Sequence, residues 1–301
     1  RHQDRPFFLY LSHTMPHIPQ YASPAFAGKS KDGVYGDTIE ELDWSTGQIL
    51  DELRNLKLAE NTLVIFTSDN GANVRAAMRN QNVGGPGRAF GGSNAPLRAG
   101  KGTTFEGGIR LPCISWWPGS IAAGRVERAP CSTLDFFPTF AALANAALPP
   151  PTTLDGIDIS SVLRDVPLPK TTPRLLTHYF GPQLQAVREG QWKLLLPIDR
   201  YPEPRSASLW YQHNPRQFEA HHRLWPKATL YDLTNDPGET ADLAAAHPEV
   251  VARLLERARR FDATFQPHTK AVEVLPGPKP PTAGQVRRSD EDLSAWLDLI
   301  R

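Results

Sequence analysis

Apolar and polar positions follow one another along this chain in distinct textures. Residues 7–11, FFLYL, form an unbroken apolar run of strand length, and a proline-rich loop follows over residues 14–24. An uninterrupted run of this kind suits a strand covered on both faces. Over residues 37–56 the side chains of Ile39, Leu42, Ile49, Leu50, Leu53 and Leu56 return at helical spacing, with acids gathered at the start. That spacing predicts an amphipathic helix with acids enriched in its first turn. NTLVIFTS, residues 61–68, predicts a second strand, so strand, helix and strand succeed one another as in a parallel-sheet unit. Ligands of such sheets sit outside the carboxyl ends of the strands, where Asp69 and Asn70 fall.

Residues 72–108 are rich in glycine and polar side chains, and a loop of that length inside a compact domain is usually functional or disordered. LPCISWWPG, residues 111–119, resumes strand character. STLDFFPTFAALANAAL, residues 132–148, predicts a capped helix that Pro149, Pro150 and Pro151 bring to a stop. Beyond about Arg164 the pattern shortens to LLTHYF, LQAVREG, QWKLLLP and ATLYDL, then the turn NDPGE and a helix over residues 248–261. Short strands with turns and one helix predict a small antiparallel sheet carrying that helix. PGPKPPTAG, residues 276–284, reads as a linker, and SDEDLSAWLDLI, residues 289–300, as a short docking helix.

Composition narrows the partners. The chain has 301 residues and 40% hydrophobic content, enough for one large or two moderate domains. Its 33 basic and 32 acidic residues leave a net charge of +1, so no whole-molecule field draws it to nucleic acid or to a membrane surface. A small partner is expected. No apolar run reaches the roughly 20 residues of a membrane span, since FAALANAAL is short and carries Asn145. Cys113 and Cys131 form neither a metal pattern nor a disulfide framework, and they leave the redox compartment open. The chain opens at Arg1 and runs almost at once into RPFFLYLS, which carries the expectation of further sequence upstream.

Three stretches could carry chemistry. In SDNG, Asp69 is either a turn former or helix cap, or it joins Asn70 as a pair of oxygen ligands for a hard cation, with Gly71 letting the backbone turn away. In SHTMPHIP, His13 and His17 stand four apart, but Pro16 and Pro19 forbid the helix that a zinc site at this spacing needs. They remain either hydrogen-bonding loop residues or a proton donor and anion ligand, on the same sheet edge as Asp69 if the two strands are parallel. In LRAGKGTTFEGGIR, Gly102 follows Lys101 where a phosphate-binding loop needs Ser or Thr. Lys101 is then either a solvated surface residue or an ammonium held beside backbone N–H groups that can bind an oxyanion. Trp192, Trp210, Tyr211 and Trp225 are either core aromatics or a carbohydrate-lining surface.

Taken in order, YLSHTMPHIP, GDTIEELDWSTGQILDELRNL, ENTLVIFTSDNG, PLRAGKGTTFEGGIRLP, STLDFFPTFAALA, LDGIDISSVL, WKLLLP and TLYDLTNDPGETADLA closely resemble the formylglycine-dependent sulfatases of the alkaline phosphatase superfamily, over residues 7–265. The resemblance implies an α/β fold: part of an alkaline-phosphatase-like mixed, mostly parallel sheet flanked by helices, plus a small C-terminal antiparallel sheet with a helix. It divides the chain into residues 1–168 of the catalytic domain, a subdomain over 169–268, and a linker and tail over 269–301. It implies Ca²⁺, with Mg²⁺ as the alternative, at Asp69 and Asn70, and Lys101 on the sulfate and the leaving-group oxygen. His17 is implied to hydrogen-bond the sulfate or leaving oxygen, and His13 to contact substrate. In the implied reaction a hydrated formylglycine attacks sulfur while the cation and basic residues stabilise the sulfuryl oxygens and the alcohol departs.

The chain departs from that pattern in two places. No Cys or Ser stands in the formylglycine motif, and no Asp-Asp pair occurs to complete a cation site that needs roughly 6 to 8 oxygens. Both are expected upstream, with this chain inactive alone. Implied partners are small-molecule or carbohydrate sulfate esters, and the implied location is periplasmic, secreted or lysosomal. Rival readings are a phosphomonoester or phosphonate monoester hydrolase of the same superfamily, and a non-catalytic binding or scaffold homologue. The loop over residues 73–95 is richer in arginine and glycine than the family pattern implies.

Overall fold

In the computed structural model the residues described are 4–73, 91–148, 150, 153–164, 166, 174–181, 183–198 and 225–265. The chain divides into one unit of residues 13–263 and another of residues 1–12 with 264–301. In the second unit, residues 7–11 form no strand, and Tyr10 is 81% exposed. This corrects the expected covered strand: an apolar run becomes one only where a neighbour supplies ladder hydrogen bonds, and no ladder among the described residues includes it. The linker and docking helix expected over 276–284 and 289–300 lie outside the described residues, as do Trp210 and Tyr211.

In the larger unit, helix α1 spans Gly33–Asn55 and starts ahead of the expected residue 37. The acids therefore fall after the first turn, which holds none. Asp37 organises the entry to the helix instead, because its buried carboxylate accepts hydrogen bonds from the N–H groups of Gly28 (2.8 Å), Lys29 (3.0 Å) and Ser30 (2.7 Å). It folds the preceding loop back onto the helix. At the other end Lys57 turns left-handed at φ 57°, and Leu58 N–H reaches Leu53 O at 2.8 Å, closing the last carbonyls as a Schellman turn does.

Strand β1 (Val64–Thr67) pairs with β2 (Cys113–Trp116), and the register runs Val64 to Trp116 and Thr67 to Cys113. The pairing is antiparallel, and among the described residues β1 enters no parallel unit, since every ladder there is antiparallel. Between them lies a one-turn helix, α2 (Glu106–Ile109). Helix α3 (Phe136–Leu143) is entered through a short 3₁₀ turn, Thr133–Asp135, in which Ser132 and Asp135 form a capping box. It ends well before the prolines, because Asn145 adopts φ 51° and Ala146 N–H bonds Ala141 O at 2.9 Å. Helix α4 is Ser160–Leu163. Cys113 and Cys131 are free thiols.

Strands β3 (Leu175–Phe180), β4 (Gln183–Glu189), β5 (Trp192–Leu195) and β6 (Thr229–Asp232) make an antiparallel sheet in chain order. Side chains alternate between its faces, with the phase of β4 reset where its register with β3 shifts between His178 and Tyr179. Leu184, Val187, Leu194 and Leu230 point to one face and bury Val250, Leu254 and Ala258 of helix α5 (Pro248–Phe265). Those helix positions recur at a spacing of one turn, which makes a single stripe. Trp192 packs against this cluster, so it belongs with the core aromatics. Glu189 pairs with Arg253 and Arg257 at the edge. The alternate residues Ala186, Leu195 and Tyr231, with Leu233, pack around Phe105, which precedes α2. Thus the small sheet has a helix on one face and the loop ahead of β2 on the other. Among the described residues no helix is long and apolar enough to cross a membrane.

Candidate active site

The end of β1 is shaped by its own polar side chains. Ser68 Oγ donates to Asn70 O (3.0 Å), and Asn70 Nδ2 donates to Gly71 O (3.1 Å). Gly71 N–H then donates to Gly108 O (3.0 Å), and a Cβ on Gly71 would lie 1.8 Å from Gly107 O. Only glycine lets the two backbones approach this closely. Within the described residues neither oxygen of exposed Asp69 nor Oδ1 of Asn70 accepts a hydrogen bond, so these hard donors stay open. Among the described residues Asp69 therefore caps no backbone group, although Asn70 does serve the turn through its nitrogen. Oxygen donors of this kind suit Ca²⁺ or Mg²⁺, but the two residues supply too few for the roughly 6 to 8 that Ca²⁺ takes. Among the described residues no group of three or more His, Cys, Asp or Glu could hold a metal.

The Lys101 loop is stitched to this turn. Lys101 N–H donates to Ala72 O (3.1 Å), Gly107 N–H donates to Arg98 O (2.8 Å), and Thr103 Oγ1 donates to Gly100 O (2.8 Å). Asn94 holds both sides at once: its Oδ1 accepts from Ala72 N–H (2.8 Å), and its Nδ2 donates to Ala72 O (3.1 Å) and Ala99 O (3.0 Å). Within the described residues the half-buried Lys101 ammonium has no acidic partner. Asp69, Asn70 and Lys101 thus stand on two loops joined by backbone bonds.

His13 and His17 lie on an exposed loop of turns, without a helix. His17 N–H donates to Thr14 O (3.3 Å), and Nδ1 lies 2.7 Å from Ile18 O. A carbonyl only accepts, so Nδ1 carries the proton and Nε2 is left to the outside. The loop is tied to α1 where Ser23 N–H donates to Glu41 Oε2 (2.9 Å). Among the described residues no hydrogen bond or ion pair links either histidine to the Asp69 or Lys101 loops.

What sequence reading missed lies beneath Lys101. Glu106 and Lys193 are 1% and 0% exposed and pair at 3.0 Å, and Lys193 Nζ also lies 2.9 Å from Glu239 Oε1. Glu106 N–H donates to Glu239 Oε2 (2.7 Å), and Arg188 Nη1 lies 3.5 Å from Glu106 Oε2. Burial pushes the Glu239 carboxyl up, with the Lys193 charge opposing, and burial pushes the Arg188 guanidinium down. Arg98 donates to Glu239 O (3.1 Å) and lies 4.1 Å over the Phe105 ring and 5.4 Å over Trp225. Trp225, edge-on to Phe105, is a packed aromatic. The available signal was Lys193 itself, a cation inside the apolar strand WKLL.

Comparison with known proteins gives a consistent result. Residues 1–146 match the family model described as Sulfatase, and residues 171–283 match the C-terminal region of aryl-sulfatase. The chain is 38% identical over 285 residues to steryl-sulfatase of Mus musculus, covering 92% of this chain and 43% of the relative. It is 38% identical over 285 residues to N-acetylgalactosamine-6-sulfatase of Canis lupus familiaris, covering 91% and 50%. A solved structure described with glycosaminoglycan metabolism by Bacteroides thetaiotaomicron superposes with a TM-score of 0.67 at 31% identity, covering 87% of this chain and 51% of that one. The chain spans about half the length of the curated relatives it matches.

Proposed function

This chain belongs to the sulfatase family, with its alkaline-phosphatase-like α/β fold, and from that footing we propose that the protein hydrolyses a sulfate ester to an alcohol and inorganic sulfate. The observation that carries the reading is the joining of two loops through Ala72, Asn94 and Lys101. One loop ends in open oxygen donors, and the other presents an ammonium with no acidic partner among the described residues. Asp69 and Asn70 would hold part of a Ca²⁺ site, and a bound cation supplies positive charge to the sulfuryl oxygens. Lys101 adds a second positive charge near the same oxyanion and steadies the leaving oxygen. His17, with Nδ1 committed to Ile18 O, offers Nε2 as the atom that gives a proton to the departing alcohol when the ring is charged. His13 would contact the substrate. No Cys or Ser of these residues stands in the formylglycine motif, and we assign the nucleophile to none of them.

The substrate class supported by the relatives' names is a sulfated small molecule or carbohydrate, since one is a steryl-sulfatase and another an N-acetylgalactosamine-6-sulfatase. The test is turnover of an aryl sulfate against the matching aryl phosphate by the full-length protein, with and without Ca²⁺. Hydrolysis of the sulfate, with Lys101→Ala lowering kcat by about 10²–10³-fold, supports the reading. Preference for the phosphate, or normal turnover in Lys101→Ala, overturns it.

A further inference from the structure

We propose that Glu106, Lys193 and Glu239 are positioning residues, and that the small antiparallel sheet uses them to hold the Lys101 loop in its working shape. The inference rests on the reading of Lys101 as a sulfate contact. Lys101 lies between Arg98 and Glu106, and both flanks are fastened to one residue. Arg98 Nη1 donates to Glu239 O at 3.1 Å, and Glu106 N–H donates to Glu239 Oε2 at 2.7 Å. The base of the loop is closed by Gly107 N–H on Arg98 O at 2.8 Å. Lys193, rising from β5, then bridges the Glu106 and Glu239 carboxylates at 3.0 and 2.9 Å. Glu239 binds from a backbone φ of 53°, a left-handed position that favours glycine, so its side-chain contacts are kept against local strain.

Cohesion alone does not account for this arrangement. Phe105, Ala186, Leu195 and Tyr231 already provide an apolar contact between loop and sheet. A buried ion pair rarely exceeds well-packed apolar residues in stability, but it does fix the direction of each hydrogen bond. The groups so directed are the amide opening α2, at Glu106, and the carboxylate that stops that turn from rotating. A small shift of this turn would move the Lys101 ammonium relative to its oxyanion, and misplacement by about 1 Å costs on the order of 10²-fold in rate.

The experiment measures aryl sulfate kinetics and amide hydrogen exchange in the full-length protein carrying Glu106→Gln, which keeps the side-chain shape and leaves Lys193 paired with Glu239. Lys193→Met is the second variant, used where it folds. The expected result is a kcat about 10- to 100-fold lower with KM within about twofold. Exchange at Lys101 and Thr103 becomes at least about tenfold faster while Leu194 and Leu230 keep their protection. On the Lys101→Ala background, Glu106→Gln lowers kcat no further. Equal losses on both backgrounds, or unchanged exchange in a folded variant, overturn the inference. If the unmodified protein hydrolyses no aryl sulfate, the sulfatase reading fails by itself, and exchange alone then decides whether the network holds the loop.

Discussion

His178, on β3, is half-buried, and its Nε2 is closed off from solvent with no hydrogen-bond partner among the described residues. Burial pushes its pKa down to about 3, and the cations Lys193 and Arg188 push the same way. The native ring is therefore neutral. An unfolded histidine titrates near 6.5, so above that pH His178 contributes its full stability, and the contribution is lost as pH falls from 6.5 towards 3. The loss approaches about 1.4 kcal/mol per pH unit while one proton distinguishes the two states. Glu239 acts in the opposite sense: its raised carboxyl takes up a proton early in the native state, so its share of stability grows as pH falls. His178→Gln is expected to remove the acid-side loss and leave the Glu239 trend, seen as urea midpoints that no longer fall between pH 7 and 5. An unchanged slope would show that another group governs it. At this scale the sequence displays a local pattern at Lys101, set between Gly100 and Gly102, and at Asp69, followed by Asn70 and Gly71. Asn94 looks like an ordinary turn residue, and Glu106 and Glu239 meet across a separation of 133 positions that no local pattern encodes.

At the scale of elements, the contact of the Asp69 turn with the Lys101 loop depends on Gly71. A methyl there would sit 1.8 Å from Gly107 O, a backbone atom with little freedom to move. Gly71→Ala is expected to destabilise the protein by about 1–3 kcal/mol and to weaken Ca²⁺ binding, measured by thermal unfolding and calorimetric titration. An alanine variant with unaltered melting and Ca²⁺ affinity would mean the loops are held elsewhere. Strands β3 to β6 were legible because alternating apolar positions and turn residues mark each of them, and β3 spans LLTHYF as read. The start of α1 was not, because the buried Asp37 that organises it has the same residue type as a solvent-facing first-turn acid. The end of α3 was misplaced because Asn145 can turn left-handed and so stops the helix earlier than the prolines. Residues 7–11 have the composition of a strand, but composition does not supply a ladder partner.

Across the whole molecule, the larger unit joins the Lys101 loop to the small sheet through an apolar contact at Phe105 and an ionic one at Lys193, and the two are expected to be separable. Lys193→Met alone leaves Glu106 and Glu239 buried without their shared cation, and is expected to cost about 3–5 kcal/mol in urea unfolding. Replacing Glu106, Lys193 and Glu239 together by apolar residues of similar volume is expected to recover most of that stability but not the turnover. A triple variant as unstable as the single one would assign the network to cohesion.

The strict two-sidedness of β5 has a consequence for assembly. Leu194 looks towards Leu254, and its neighbour Lys193 looks towards Glu106. If that strand slid by a single position, an ammonium would enter the oil under the helix while a leucine met two naked carboxylates. Both errors would arise together and neither could be relieved alone, so the sheet carries its own proofreading against misalignment.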